Sequence, residues 1–243
     1  MSKTAIITGG SGGIGSAICR VLAAEGWRTV VCYNHGEAQA KALAAELCAG
    51  GHTAQAFFMD ISSKVSIEGG LAKIKTILGE PELLVNNAGI ADIGLFTDMT
   101  DERLCEMLNV NLLGTMRLSK AVLPEMIRAH RGNIVNISSV WGEVGASCEV
   151  AYSAAKAGLI GFTKALAREV AVSGVKVNCI SCGMIDTKMN GELSPEDVQA
   201  VVDEISVGRI GTPKDVANAV KFLASDQSDY IHGQVIRVDG AWI

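Results

Sequence analysis

Residues 4–15 read TAIITGGSGGIG. A short β-branched, apolar run gives way to five glycines in the seven positions from Gly9 to Gly15, and then to SAICRVLAAEG, whose apolar spacing is helical. The order is strand, glycine turn, helix. Glycines allow the tight turn and let backbone N–H groups approach an anion at the helix N-terminus. The spacing is T-G-x-x-x-G-x-G rather than the common G-x-G-x-x-G, but its place between a first strand and a helix predicts a dinucleotide pyrophosphate site. Gly9, Ser11, Gly12, Gly13, Ile14 and Gly15 would line it.

The same alternation continues along the chain. RTVVCY precedes EAQAKALAAELCAGG, TAQAFFMDI precedes SIEGGLAKIKTILG, and ELLVNNAGI precedes the long run DERLCEMLNVNLLGTMRLSKAVLPEMIRAHRG. NIVNISSV is followed by AYSAAKAGL, and VKVNCIS by a variable stretch, PKDVANAVKFLAS and QVIRVDG. Apolar strands separated by helices indicate a parallel sheet covered on both faces. The expected fold is α/β: a single doubly wound Rossmann-type domain over residues 1–243, with a seven-stranded parallel sheet flanked by helices. Gly26, Gly79 and Gly174 stand where helices should stop.

Composition narrows the function classes. The chain has 243 residues, 49% hydrophobic and 19% charged, with a net charge of −5. No basic stripe is visible to neutralise nucleic-acid phosphates, and no apolar run reaches membrane-span length, so neither partner is expected. Seven cysteines are scattered through predicted strands and helices, which fits a reduced cytoplasmic protein better than a disulfide scaffold. The N-terminus runs straight into a strand, with no signal or transit pattern.

In doubly wound folds, ligands bind beyond the carboxyl ends of the strands, so functional residues should follow each strand. The second strand ends with Asn34 and His35 where an acid would hold the ribose 2′-OH of NAD. Its absence favours NADPH over NADH, because a carboxylate there would repel a 2′-phosphate. Asp60 and Ile61 follow the third strand; Asp60 could bind the adenine amino group or cap the next helix. The fourth strand ends in Asn86, Asn87, Ala88 and Gly89, suited to bracing the backbone and touching the cofactor ribose. The fifth ends at Ser138 and Ser139. Thirteen residues after Ser139 come Tyr152 and, one helical turn on, Lys156. Asn111 lies inside a predicted helix, where an asparagine competes with the backbone unless it has a task.

Taken together and in this order, T-G-x-x-x-G-x-G, N-N-A-G, the Asn111 segment, Ser139 and Y-x-x-x-K resemble the short-chain dehydrogenase/reductase family over essentially the whole chain. The resemblance implies that Tyr152 is the catalytic acid/base and Lys156 its partner, and that both touch the nicotinamide ribose. It implies that Ser139 binds the substrate carbonyl and Asn111 holds a proton-relay water. A nearby ammonium, together with the positive nicotinamide of the oxidised cofactor, should lower the tyrosine pKa. Gly183, Ile185 and Thr187 match the family's nicotinamide-contacting turn, although Cys182 replaces its proline, and a looser turn is expected. Cys179 and Cys182 form a C-x-x-C with no second ligand pair, so no metal site is expected.

Within the family the chain is similar to bacterial 3-oxoacyl-[acyl-carrier-protein] and acetoacetyl-CoA reductases. That implies a small-molecule or carrier-protein-bound acyl substrate and a homotetramer. The resemblance implies basic residues for a carrier protein beside the active-site mouth; His130 and Arg131 fit one such patch, with Ser173 where a second arginine would stand. SSVWGEVGASCEVAYSAAK and IDTKMN are also similar to reductases of the 5-aminopentanone modification on elongation factor P; there Trp141, Cys148 and Glu149 would line the substrate side. A dinucleotide sensor without catalysis is the alternative from another class, and retention of Tyr152 and Lys156 speaks against it. Residues 186–207 are the expected substrate lid.

Overall fold

The structure, a computed structural model, describes residues 3–191 and 194–243. Seven parallel strands form one sheet in the order β3-β2-β1-β4-β5-β6-β7. They are β1 (Thr4–Ile7), β2 (Arg28–Tyr33), β3 (Ala54–Phe58), β4 (Pro81–Asn86), β5 (Gly132–Ser139), β6 (Val175–Cys182) and β7 (Val235–Val238).

Strand alternation explains the two-sided core. Ile7, Val31, Val85 and Val135 point to one face, where α1 (Gly13–Ala24), α2 (Glu37–Ala49) and α9 (Pro213–Ala224) cover them. Their neighbours Ile6, Val30, Leu84 and Ile134 point to the other, beneath α3 (Lys64–Leu78), α5 (Thr115–Arg128) and α7 (Val150–Val170). Gly26, Gly79 and Gly174 all adopt positive φ just past a helix, as expected of terminating glycines.

The long helix expected from Asp101 onward runs unbroken to Arg128 but widens midway. α4 (Asp101–Leu108) and α5 are joined by a π-helical segment, Asn109–Gly114. At the end of that segment stands Gly114, where a Cβ would come within 2.7 Å of the Ile61 carbonyl, so the helix passes unusually close to the β3–α3 connection. A short α6 (Trp141–Val144) follows β5, and α8 (Pro195–Glu204) lies in the stretch expected to be the lid. Residues 192–193 of that stretch fall outside the described residues. Among the described residues no helix is long and apolar enough to cross a membrane.

Strand order reverses between β1 and β4, which places the ligand crevice at their carboxyl ends.

Candidate active site

At that crevice the glycine turn is wired to the end of β4. Thr8 Oγ1 accepts hydrogen bonds from the backbone N–H groups of Asn87 and Ala88, each at 2.9 Å. Asn87 Nδ2 in turn donates to the Thr8 and Gly9 carbonyls at 2.9 and 3.2 Å. A Cβ at Gly15 would lie 2.1 Å from the Gly9 carbonyl oxygen, so only glycine lets α1 start this close to its own turn. Gly12 is the N-cap of α1 and no side chain caps the helix, leaving first-turn N–H groups for an anion. Ser11 reaches across to the His35 carbonyl at 3.3 Å, and the Thr187 side chain packs beside Gly13. These features fit a dinucleotide diphosphate.

The other cofactor residues divide. Asn34 is exposed at the end of β2, with no acid beside it. The acid that sequence reasoning passed over is Glu37, the first residue of α2. Its carboxylate pairs with Lys41 at 2.6 Å and bonds Tyr33, and the Lys41 hydrogen bond holds its pKa below the usual range. Asp60 does not cap α3, whose N-cap is Ser63; its Oδ1 accepts from the N–H and hydroxyl of Ser62 at 2.9 and 2.7 Å. Gly89 stands where a Cβ would be 3.0 Å from Asn111 Oδ1 and 3.5 Å from Lys156 Nζ, so the turn after β4 meets the candidate catalytic groups there.

The expected looser turn at Cys182 is instead bonded on every side. Val140 N–H donates to the Cys182 carbonyl at 2.9 Å, Gly183 N–H to Val238 at 3.0 Å, and Gly211 N–H to Met184 at 2.9 Å. Ile185 is buried and bridges Gly211. Neighbouring strands replace what a proline would fix. Cys179 and Cys182, three apart on β6, point to opposite faces, and burial pushes both thiols up to about 12. Neither is poised for redox chemistry. Among the described residues no group of three or more His, Cys, Asp or Glu is placed to hold a metal ion.

The candidate catalytic residues converge on β5 and α7. Lys156 is buried, its Nζ donates to the Ile137 carbonyl at 2.9 Å and lies 5.5 Å from the Tyr152 ring centroid. Ser138 Oγ donates to the Lys156 carbonyl at 3.0 Å, pinning the helix to the strand. Tyr152 and Ser139 share a side-chain hydrogen bond. Beneath them runs a buried ladder absent from the sequence reading. Asn86 Nδ2 donates to Asn136 Oδ1 at 2.8 Å and to Ser119, and Asn136 Nδ2 donates to Thr163 Oγ1 at 2.8 Å.

Two expectations need correction. The Tyr152 pKa is raised, not lowered: desolvation dominates, Cys182 and Glu149 add to it, and only the Ser139 hydrogen bond opposes. Lys156, itself pushed down by burial, spends its ammonium on Ile137. In the chain alone the tyrosine is therefore a firmly protonated acid. The second concerns the basic patch. His130 and Arg131 precede β5, whereas Ser139 ends it, so within one chain they lie at opposite ends of that strand, with Arg131 about 26 Å from Ser139 at strand rise. Arg131 is moreover paired with Glu82.

Asn111 also differs from expectation in its bonding. It sits in the π segment, a geometry frequent at functional sites. Its Oδ1 accepts from Ile90 N–H, and its Nδ2 donates to the Ile90 carbonyl, both at 2.8 Å. The side chain thus braces the strand-four turn. Near Tyr152 lies Glu149, whose carboxyl is half-buried, pushed up by desolvation and partly relieved by a hydrogen bond with Trp141. Among the described residues no cationic side chain pairs with it.

Comparison with known proteins agrees with this geometry. A family model described as short chain dehydrogenase matches residues 3–198. The chain is 39% identical to the uncharacterized oxidoreductase YmfI of Bacillus subtilis, over 100% of this chain and 99% of that one. It is 42% identical to the 3-oxoacyl-[acyl-carrier-protein] reductase FabG of Escherichia coli, over 98% and 96% of the two chains. A crystal structure of a proposed gluconate dehydrogenase from Agrobacterium tumefaciens superposes with a TM-score of 0.95 at 30% identity, covering 99% of this chain and 95% of that one. The protein is an oxidoreductase, and the chain belongs to the short-chain dehydrogenase/reductase family.

Proposed function

We propose that the protein catalyses the NADPH-dependent reduction of a ketone to a secondary alcohol, with a 3-oxoacyl thioester giving the 3-hydroxyacyl thioester. The observation that carries this reading is the convergence of Ser139, Tyr152 and Lys156 on one edge, with the tyrosine protonated. NADPH, when bound, supplies the hydride. Tyr152 donates its phenolic proton to the carbonyl oxygen, and Ser139 hydrogen-bonds the same oxygen as charge develops on it. Lys156 holds the tyrosine and contacts the nicotinamide ribose, while Asn111 keeps the Gly89–Ile90 turn in place for a water that returns the proton. Gly9, Ser11, Gly12, Gly13, Ile14 and Gly15 take the diphosphate; Asn34, Asp60, Ile61, Asn87, Ala88, Gly183, Ile185 and Thr187 complete the cofactor groove. NADPH is preferred over NADH because no carboxylate stands free at the end of β2, the nearby Glu37 being turned to Lys41 and Tyr33. A cytoplasmic location, a homotetramer, a single domain over 1–243 and a lid over 186–207 belong to the same proposal.

One observation favours a second substrate. Glu149, half-buried beside Tyr152 and with no cationic partner among the described residues, opposes negative charge on the Tyr152 oxygen. A cationic aminoketone, such as the 5-aminopentanone modification of elongation factor P, would neutralise it. The test is loss of nicotinamide absorbance with purified protein, NADPH or NADH in turn, and either acetoacetyl-CoA or a protein-borne aminoketone. Tyr152-dependent oxidation of NADPH with acetoacetyl-CoA supports the thioester reading. Turnover of the aminoketone alone transfers the assignment to the second substrate. Cofactor binding without turnover of any ketone would return the protein to a sensor role.

A further inference from the structure

The last residues of the chain bind both the expected lid and the catalytic loop. After β7 the chain turns at Gly240 and Ala241, both at positive φ, and the turn is closed by Asp239, which accepts from the Ala241 and Ile243 N–H groups at 3.1 and 3.3 Å. On one side this tail is bonded to the segment after α8. Val207 N–H donates to the Gly240 carbonyl at 3.2 Å, Ser206 Oγ to the Ala241 carbonyl at 2.9 Å, and Trp242 Nε1 to Glu204 at 3.0 Å. On the other side the Trp242 ring meets Trp141 edge-on, 5.0 Å between centroids at 65°. Arg237 forks onto Glu143 of α6 at 2.8–3.1 Å and also bonds the Ile243 carbonyl.

Trp141 is where this reaches the chemistry. Its backbone N–H donates to Ser139 Oγ at 3.2 Å, and its side chain hydrogen-bonds Glu149, which the Tyr152 hydroxyl feels. The next residue, Gly142, lies so close to α7 that a Cβ would come within 2.7 Å of the Lys156 carbonyl carbon. The loop therefore has little room for error, and its ring contact runs to Trp242.

We propose that Trp242 is a positioning residue for the reaction: its ring seats Trp141, and through it the Ser139 hydroxyl, while its N–H ties that arrangement to Glu204 at the end of α8. The two halves of the indole then have separable duties. The ring governs the chemical step, and the N–H governs how the α8 segment meets substrate.

The experiment compares Trp242→Ala, Trp242→Phe and Glu204→Ala by two readouts. The first is steady-state turnover of acetoacetyl-CoA alongside direct NADPH titration, which rests on the carbonyl-reductase reading. The second is hydrogen–deuterium exchange of the Trp141 amide, which does not. Trp242→Ala is expected to lower kcat about tenfold, as a misplaced catalytic group does, with NADPH affinity within about twofold and faster Trp141 exchange. Trp242→Phe keeps the ring, so it should restore kcat and Trp141 protection while raising KM, and Glu204→Ala should raise KM alike. Unchanged kcat and exchange in Trp242→Ala would overturn the proposal. So would a loss of kcat, cofactor affinity and melting temperature in parallel that Trp242→Phe does not rescue, since that is a merely structural role. If wild type fails to turn over acetoacetyl-CoA, the fault lies with the substrate reading, and Trp141 exchange alone decides: faster in Ala and protected in Phe sustains the proposal, and any other pattern sinks it.

Discussion

The two halves of the crevice are built from different materials. The proposed cofactor edge, at β1, α1 and the end of β4, is held by backbone groups bonded to two uncharged side chains: Thr8 and Asn87 lock two turns together, and glycine alone fits at Gly15. The chemical edge, at β5, α6 and α7, is held by buried or half-buried titratable side chains whose pKa values burial has displaced, Tyr152 and Glu149 upward and Lys156 downward. A backbone site binds the same anion at any moderate pH and fails only sterically. A side-chain site is tunable, and it fails one group at a time. The two edges should therefore break in different ways.

The largest effect sharpens that contrast. On the proposed mechanism Tyr152→Phe removes the proton donor with little loss of packing volume, so turnover should fall by about 10²–10⁴-fold while NADPH affinity falls far less. Gly15→Ala should do the reverse. A Cβ 2.1 Å from the Gly9 oxygen forces the turn open, at a cost of about 1–3 kcal/mol in melting stability, and NADPH affinity should collapse with the catalytic groups intact. Retained NADPH affinity in Gly15→Ala would erase the distinction. Beneath both edges lies the Asn86–Asn136–Thr163 ladder. Asn136→Ala leaves the Asn86 amide and Thr163 without that partner and should cost about 1–3 kcal/mol in denaturant melts.

Sequence legibility follows the same division. The fold could be read because each strand alternates between two apolar layers, as Ile6 and Ile7 do, and because glycines with positive φ end α1, α3 and the turn after α7. The order of Ser139, Tyr152 and Lys156 was visible because each follows a strand end or sits one turn from its partner. What stayed hidden depends on approach between distant segments. Nothing near Asn111 announces that it lies in a π segment ending at Gly114, which abuts Ile61, or that its amide is spent on Ile90. The sign of the Tyr152 shift turns on desolvation, which spacing does not encode. Arg131 was misplaced because a residue just before β5 lies a full strand length from one just after it. Trp242, a hundred residues from Trp141, carries no local signal at all.

A smaller test bears on the chemical edge. The Glu149 pKa is raised in the fold, so its stabilising contribution is complete only below the unfolded value of about 4.3 and is lost as pH rises through the folded one. At neutral pH the ionised carboxylate is a liability. Glu149→Gln should raise the melting temperature at neutral pH, with the difference vanishing below about pH 4. The same variant should lose roughly tenfold in kcat/KM for a cationic ketone, the scale of one hydrogen bond to a charge, and lose nothing for a neutral thioester. Equal effects on both substrates would remove Glu149 from substrate recognition.

The smallest effect has the opposite sign and belongs to the cofactor edge. α9 packs on α1, and its N-terminus is closed by a reciprocal capping pair, Thr212 and Asp215, with Arg209 on the same carboxylate at 2.9 Å. Arg209, then the Thr212 backbone, holds the Asp215 pKa down at about 2. A lowered folded pKa contributes stability that is present above the unfolded value of about 3.9 and is lost as pH falls toward the folded one. Because the pair is largely solvated, the cap sets the scale, and Asp215→Asn should cost about 1 kcal/mol near neutrality. That difference should shrink between pH 4 and pH 2, the window in which Glu149→Gln has already become silent. Acid titration of the two variants thus moves stability in opposite directions from opposite edges. Parallel curves would mean that the crevice titrates as one unit and that backbone and side-chain halves are not separable.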